Sequence, residues 1–267
     1  DDVLKKVKRG HLTDKTKNAI KILKDNGFKI LLHIMLGLPN SDRERDIKMF
    51  KELFSNPDYK PDMLKIYPCL VMQGTPLYQD YIKGNYKPLT TQEAAEIIAE
   101  GKRFIPTYCR VMRIQRDIPT TLVSAGVDKS NLRQYVLEEL KNKNIKCRCI
   151  RCREVGRAEN IDNVDILVNK YESSSGIEYF ISAEDVKNDL IIGFCRLRFP
   201  GNSKENAFIR ELHVYSSVLK LGHKSEESYQ HKGYGKILLK KAEEIVKSNN
   251  YKKLSVISGV GVREYYS

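Results

Sequence analysis

Three cysteines fall within six residues in the run Lys146-Cys147-Arg148-Cys149-Ile150-Arg151-Cys152-Arg153. Thiols this close can converge on one ion. Soft thiolates suit zinc, which takes four tetrahedral ligands in a structural site. Cys147, Cys149 and Cys152 supply three of them; Cys109 is the first choice for the fourth, then Cys69, then a histidine. The neighbouring arginines would favour the thiolate form and offset its charge. A bound ion would also tie together a short, polar stretch with little core of its own. An iron–sulfur cluster is a poorer fit, because a one-residue gap crowds two thiolates that must reach separate corners. The remaining reading is three unligated cysteines in a basic loop. Six cysteines in 267 residues are too few for a disulfide-built scaffold, which fits a reducing, cytoplasmic setting.

A second group of residues could bind phosphate. Gln230-His231-Lys232-Gly233-Tyr234-Gly235 precedes an amphipathic stretch, Lys236 to Ser248, that carries Ile237, Leu238, Leu239, Ala242, Ile245 and Val246. Two glycines at a helix start let successive N–H groups turn outward, and these, with the helix dipole, attract a diphosphate. Lys232 and Lys236 add charge. The spacing is not the Gly-x-Gly-x-x-Gly of dinucleotide sites, and an ordinary glycine turn before a helix would read the same way.

The charge is concentrated. The chain carries 47 Lys+Arg against 34 Asp+Glu, a net of +13, and residues 101–157 alone hold 14 basic and 5 acidic side chains, a net of +9. Arg110, Arg113, Arg116, Arg133, Arg148, Arg151 and Arg153 lie in this stretch. Such a field draws a polyanion and makes its affinity salt-dependent; the plainer reading is a solvated basic face. No apolar run is long enough to span a membrane, and Asp1-Asp2-Val3-Leu4-Lys5-Lys6 is not a signal peptide.

These groups need a frame, and three regions are legible. Residues 1–103 alternate helix and strand. A helix is predicted from Asp14 to Asn26, capped by Thr13, with Ala19, Ile20, Ile22 and Leu23 as its apolar stripe. A strand follows from Phe28 to Met35, a helix from Asp42 to Phe54, a strand from Met63 to Tyr67, and a helix from Thr91, its own cap, to Arg103. That rhythm predicts parallel β/α units. Two or three strands are too few for a closed parallel fold, so the regular structure is expected to begin before Asp1. Residues 104–157 form a basic linker with one amphipathic helix, Ser130 to Lys141, whose apolar side is Leu132, Val136, Leu137 and Leu140. Residues 158–267 read as α+β. Strands are expected at 164–171, 176–183, 190–199, 207–215 and 253–258, with the one long helix before the last.

Several stretches resemble the catalytic subunits of Elongator, of archaeal type. They are His33-Ile34-Met35-Leu36-Gly37-Leu38-Pro39, Pro61-Asp62-Met63-Leu64-Lys65-Ile66-Tyr67-Pro68 and Arg113-Ile114-Gln115-Arg116-Asp117-Ile118-Pro119. Ser130-Asn131-Leu132-Arg133, Arg151-Cys152-Arg153-Glu154-Val155-Gly156, Arg210-Glu211-Leu212-His213-Val214-Tyr215 and Gly259-Val260-Gly261-Val262-Arg263-Glu264-Tyr265-Tyr266 complete the set. The stretch at 230–235 is similar to the pyrophosphate loop of GCN5-related N-acetyltransferases.

The resemblance implies the later part of a radical S-adenosylmethionine (SAM) β/α barrel at 1–103, a zinc-bearing basic linker at 104–157 and a C-terminally incomplete GCN5-related acetyltransferase domain at 158–267. It implies an enzyme that carboxymethylates the wobble uridine (U34) of tRNA at C5, using acetyl-CoA, SAM and a 4Fe-4S cluster. The cluster's Cys-x-x-x-Cys-x-x-Cys loop does not occur in this sequence, so the chain alone is not expected to perform the radical step. Acetyl-CoA would lie on Gln230, His231, Lys232, Gly233, Tyr234, Gly235 and Lys236, beside Leu212, His213 and Val214 of the preceding strand. Tyr265 or Tyr266 would act near the thioester, one of Glu211 and His213 would face the acyl group, and Lys65 with Tyr67 would line the substrate cleft between barrel and acetyltransferase domain. The arginines named above would contact phosphates of the anticodon stem-loop. Arg157 stands where some relatives place a histidine after Glu-Val-Gly, which leaves the fourth zinc ligand open. No DNA or membrane partner is implied, whereas self-association or companion Elongator-like subunits are compatible. Two alternatives stay open: a protein lysine acetyltransferase, and a tRNA-binding piece without radical activity.

Overall fold

The first elements follow from apolar runs too continuous for a solvent-facing strand. In the computed structural model, which describes residues 1–115, 118–156, 161–215 and 233–266, β1 (Leu31–Leu36) and β2 (Met63–Pro68) pair in parallel, from Leu31 opposite Met63 to Leu36 opposite Pro68. β3 (Arg110–Ile114) lies parallel on the other side of β2, giving the order β1-β2-β3. This strand falls inside the stretch expected to be a linker. Its two arginines mask the apolar signal, and it belongs to the first sheet.

Helices make the crossovers, as parallel strands require. α3 (Arg43–Ser55) starts at Asp42, whose carboxylate accepts the Arg45 N–H at 2.8 Å. α4 (Pro76–Ile82) is a short helix that periodicity does not reveal. α5 (Thr91–Gly101) opens with a capping box: Thr90 and Glu93 exchange side-chain and backbone bonds, so the cap is Thr90 rather than Thr91. α6 (Leu132–Asn142) packs on α5 and buries Leu132, Val136 and Leu140. Leu137 is exposed, because it lies about 100° around the helix from Val136.

Contacts divide the chain into two compact units. The first comprises Asp1–Lys17, Leu31–Asn56 and Lys60–Arg151; the second comprises Asn18–Ile30, Pro57–Tyr59 and Cys152–Ser267. α1 (Asp2–Lys6) belongs to the first, and α2 (Thr13–Asp25) contributes its residues from Asn18 onward to the second. α7 (Ile150–Arg153) is a single turn.

The second unit is a five-stranded sheet in sequential order: β4 (Asp165–Ser173), β5 (Gly176–Asp185), β6 (Leu190–Phe199), β7 (Asn206–Val214) and β8 (Lys253–Val256). The first four are antiparallel; β8 runs parallel to β7, across α8 (Tyr234–Ser248). α8 buries Leu238, Ala242 and Val246, one residue per turn, against β5, β6 and β7. A buried charge network also holds this unit. Glu178 of β5 takes Arg198 at 2.9 Å and Arg210 at 2.8 Å, with Lys24 of α2 at 3.8 Å, and Arg198 reaches Asp25 as well. The buried positions of α2 are therefore Ile20 and Lys24, four apart, while Ile22 and Leu23 of the expected stripe are exposed.

Candidate functional site

Gly233 caps α8 in the left-handed region at φ 76°, with no side-chain cap bond, so the first-turn N–H groups are left to another acceptor. Gly235, two residues on, is buried and lies against the Tyr265 hydroxyl and Val214; a Cβ there would run into that hydroxyl. The structure thus brings together Gly233, Gly235, Val214 and Tyr265 at the helix start. Tyr266 packs edge-on to Tyr265, with ring centroids 5.2 Å apart, and burial raises the pKa of both phenols. Buried Cys195 of β6 adds to the rise at Tyr266, and its own thiol is pushed up to about 12 by burial. Tyr234 is half-buried and Lys236 exposed. Gln230, His231 and Lys232 lie outside the described residues.

Strand alternation sets Leu212 and Val214 on one face of β7 and Glu211 and His213 on the other. Glu211 bonds Arg196 at 2.9 Å and Lys29 at 3.2 Å. Burial pushes its carboxyl up, but Arg196 and Lys29 outweigh that and hold it below the usual carboxylate range. These two ion pairs hold it in place on the face of β7 that it shares with His213. His213 is exposed and packs on Tyr215, with ring centroids 4.4 Å apart.

Among the described residues, the cysteine sulfurs of 147, 149 and 152 lie within 4.8 Å of one another. Tetrahedral zinc–sulfur bonds of about 2.3 Å put sulfurs about 3.8 Å apart, so a small inward closure suffices and the donor set fits zinc. Cys109 is fully buried, and its carbonyl accepts the Ile150 N–H at 3.0 Å, but its sulfur is not in the converging group. The expected fourth ligand is thus not supplied in this geometry. Lys102, which sequence reasoning missed, is buried with its ammonium 3.8 Å from the Cys149 sulfur.

Lys65 is half-buried in the middle of β2, flanked in register by His33 on β1 and Arg113 on β3. Three basic side chains therefore form a row across the first sheet. At the C-terminal end of β1, where sites open in β/α barrels, the Gly37–Ser41 turn borders a cavity of about 500 Å³. Buried Asp46 accepts from Gly37 N–H and Ser41 Oγ, both at 2.7 Å, and burial raises its pKa. Tyr86 donates to the Gly37 carbonyl at 2.6 Å.

Of the basic candidates, Arg113, Arg148 and Arg151 are exposed, and Arg110 and Arg133 half-buried; Arg116 lies outside the described residues. Arg153 is different. It is buried in ion pairs with Glu184 and Asp189, so it supports the sheet and is withdrawn as a phosphate contact. No helix among the described residues is long and apolar enough to cross a membrane.

Comparison with known proteins adds the following. Residues 61–142 match the family described as Radical_SAM C-terminal domain, and residues 134–266 the acetyltransferase (GNAT) family. The chain is 47% identical over 281 residues to the tRNA uridine(34) acetyltransferase of Methanocaldococcus jannaschii, covering 100% of this chain and 52% of that protein. It is 41% identical over 281 residues to Elongator complex protein 3 of Saccharomyces cerevisiae, covering 100% of this chain and 50% of that one. The solved structure of archaeal Methanocaldococcus infernus Elp3 with an N-terminal deletion (1–46) superposes with a TM-score of 0.92 at 46% identity, over 99% of this chain and 66% of that one. The chain spans about half the length of the curated relatives it matches.

Proposed function

Because the chain belongs to the Elongator catalytic-subunit family, spanning its radical SAM C-terminal and GNAT parts, we propose that it is the acetyl-CoA- and tRNA-binding half of an enzyme that carboxymethylates the wobble uridine of tRNA at C5. The observation that carries this reading is the start of α8, where Gly233 caps the helix without a side-chain bond and Gly235 lies against the Tyr265 hydroxyl and Val214 of β7.

Acetyl-CoA would set its diphosphate on the N–H groups that follow Gly233, with Gln230, His231, Lys232 and Lys236 supplying further donors and charge. Leu212, Val214 and Tyr234 would flank the pantetheine. With no Cβ on Gly235, the Tyr265 phenol sits close to the helix start. Its raised pKa keeps the proton in place at neutral pH, ready to be donated toward the thioester sulfur or to orient a water. Tyr266 is the second choice. His213 is exposed at the end of β7, where it can meet the acyl end or the nucleotide.

The tRNA would lie on the basic stretch, with Arg110, Arg113, Arg116, Arg133, Arg148 and Arg151 on phosphates of the anticodon stem-loop. The modified base must leave its stack to be reached, and Lys65 with His33 and Arg113 offers it a polar, cationic row. Zinc would be held by Cys147, Cys149 and Cys152 and would stiffen the segment that carries Arg148 and Arg151. Radical chemistry at the acetyl methyl is what the family's SAM and 4Fe-4S cluster supply when bound; this chain's residues position the substrates. Companion subunits of the kind the Elongator relatives' name implies are a further expectation.

The test is acetyl-CoA hydrolysis measured with and without tRNA, varying the anticodon loop. Hydrolysis that requires tRNA with a uridine at the wobble position supports the reading. Steady acetylation of a lysine peptide without tRNA would replace it with a protein acetyltransferase. Binding of tRNA with no hydrolysis under any condition would reduce the chain to an RNA-binding piece.

A further inference from the structure

Lys102 follows α5 as its C-cap residue, yet only 1% of its surface is exposed. Its ammonium lies 3.8 Å from the sulfur of fully buried Cys149, within N–H···S range. A lysine head group taken out of water needs a negative partner. A neutral thiol is a weak acceptor; a thiolate carries a full charge. Three thiolates around one divalent ion sum to −1, and one ammonium brings the sum to zero. A fourth thiolate would leave the buried group negative again.

We propose that Lys102 is the charge-compensating partner of the cysteine metal centre: it donates to the Cys149 thiolate and, by completing the charge, selects an uncharged fourth ligand. The geometry agrees, since Cys109 sits against this segment through its carbonyl and keeps its sulfur out of the converging group. The role rests on reading the triad as a zinc centre. Outer-shell partners of this kind fix the orientation and basicity of the ligand they touch.

The test uses the whole chain with zinc as the probe, in competition with a chromogenic chelator. Lys102→Met keeps the length of the side chain and removes its charge, and is expected to weaken zinc binding ~10–100-fold. Lys102→Arg keeps a charged donor and should recover most of that loss. Thermal unfolding of the zinc-free forms separates compensation from packing. If both variants melt lower while zinc affinity stays at the wild-type value, the proposal is overturned. Should Lys102→Met fail to fold, the wild-type protein still decides the matter. Its ¹⁵N-lysine spectrum should contain a slowly exchanging ammonium that moves when zinc is stripped, and an ammonium indifferent to zinc overturns the assignment. A wild-type chain that takes up no zinc at saturation fails the zinc reading itself, whereas equal affinities in wild type and Lys102→Met fail only Lys102.

Discussion

Gly235→Ala places a methyl group against the Tyr265 hydroxyl, since that oxygen already occupies the space a Cβ would need. A shift of the phenol by about 1 Å is expected to cut tRNA-dependent acetyl-CoA hydrolysis by roughly 10²-fold. The thermal midpoint should barely move, because the added methyl meets only the far end of the exposed Tyr265 side chain, which can give way. Wild-type hydrolysis in this variant would remove Tyr265 from the chemistry. Cys149→Ser is expected to release zinc and loosen residues 146–153, read as metal content per chain and as faster hydrogen exchange there; unchanged metal content would sink the assignment. At this scale the placement was legible where residue type and spacing were both restrictive: Cys147, Cys149 and Cys152 converge, and Gly233 and Gly235 fall at the start of α8. The sequence was silent on Lys102 and His33, because a lone lysine after a helix or a lone histidine in a strand has no spacing to betray it. It misled at Arg153, which looks like its basic neighbours and is instead the buried counterion of Glu184.

Among the elements, β5, β6 and β7 carry the heaviest electrostatic duty. Glu178 is 1% exposed and holds two arginines and Lys24 of α2. Glu178→Gln removes the charge that all three share, and breaking a buried pair in this way costs about 3–5 kcal/mol; denaturant unfolding of the second unit should record it, and a loss below about 1 kcal/mol would mean that the cations find other partners. Glu211 on β7 gives a pH signature. Its folded pKa is depressed, so folding favours the ionised form. The stability it adds is whole above the unfolded value of about 4.3 and drains away as pH falls through the lower folded value. Followed by circular dichroism, Glu211→Gln should lose less stability than wild type across that acid window, and parallel curves would refute the assignment. Helices and strands were largely readable because the chain obeys simple periods. Leu190–Phe199 was legible to the residue, while β3 was not, since Arg110 and Arg113 interrupt its apolar run.

For the molecule as a whole, if tRNA lies on the basic stretch as proposed, the +9 carried by residues 101–157 would make its affinity a function of salt. The logarithm of the tRNA association constant should fall linearly with the logarithm of salt concentration, by about 0.7–0.9 per phosphate neutralised. Arg148→Ser and Arg151→Ser should each flatten that slope by about 1, whereas an Arg153 substitution should leave the slope alone and lower stability. A slope unaffected by either of the first two would move the RNA elsewhere. The change in rhythm near residue 158 lies six residues after Cys152, where the long stretch of the second unit begins, and the expected separate linker at 104–157 folds mostly with the first unit. That residues 18–30 fold with the later part was not legible, because local pattern names no distant partner and Lys24 reads as one more solvated lysine. That placement has a temporal corollary. Lys24 must await Glu178, 154 positions later, and Asp25 must await Arg198, 173 positions later. At synthesis rates of about 5–20 residues per second, the helix bearing them leaves the ribosome roughly 10–30 s before its counterions exist. Until then both charges stay in water, and the acetyltransferase half can close only after the strands bearing Glu178, Arg198 and Arg210 are made.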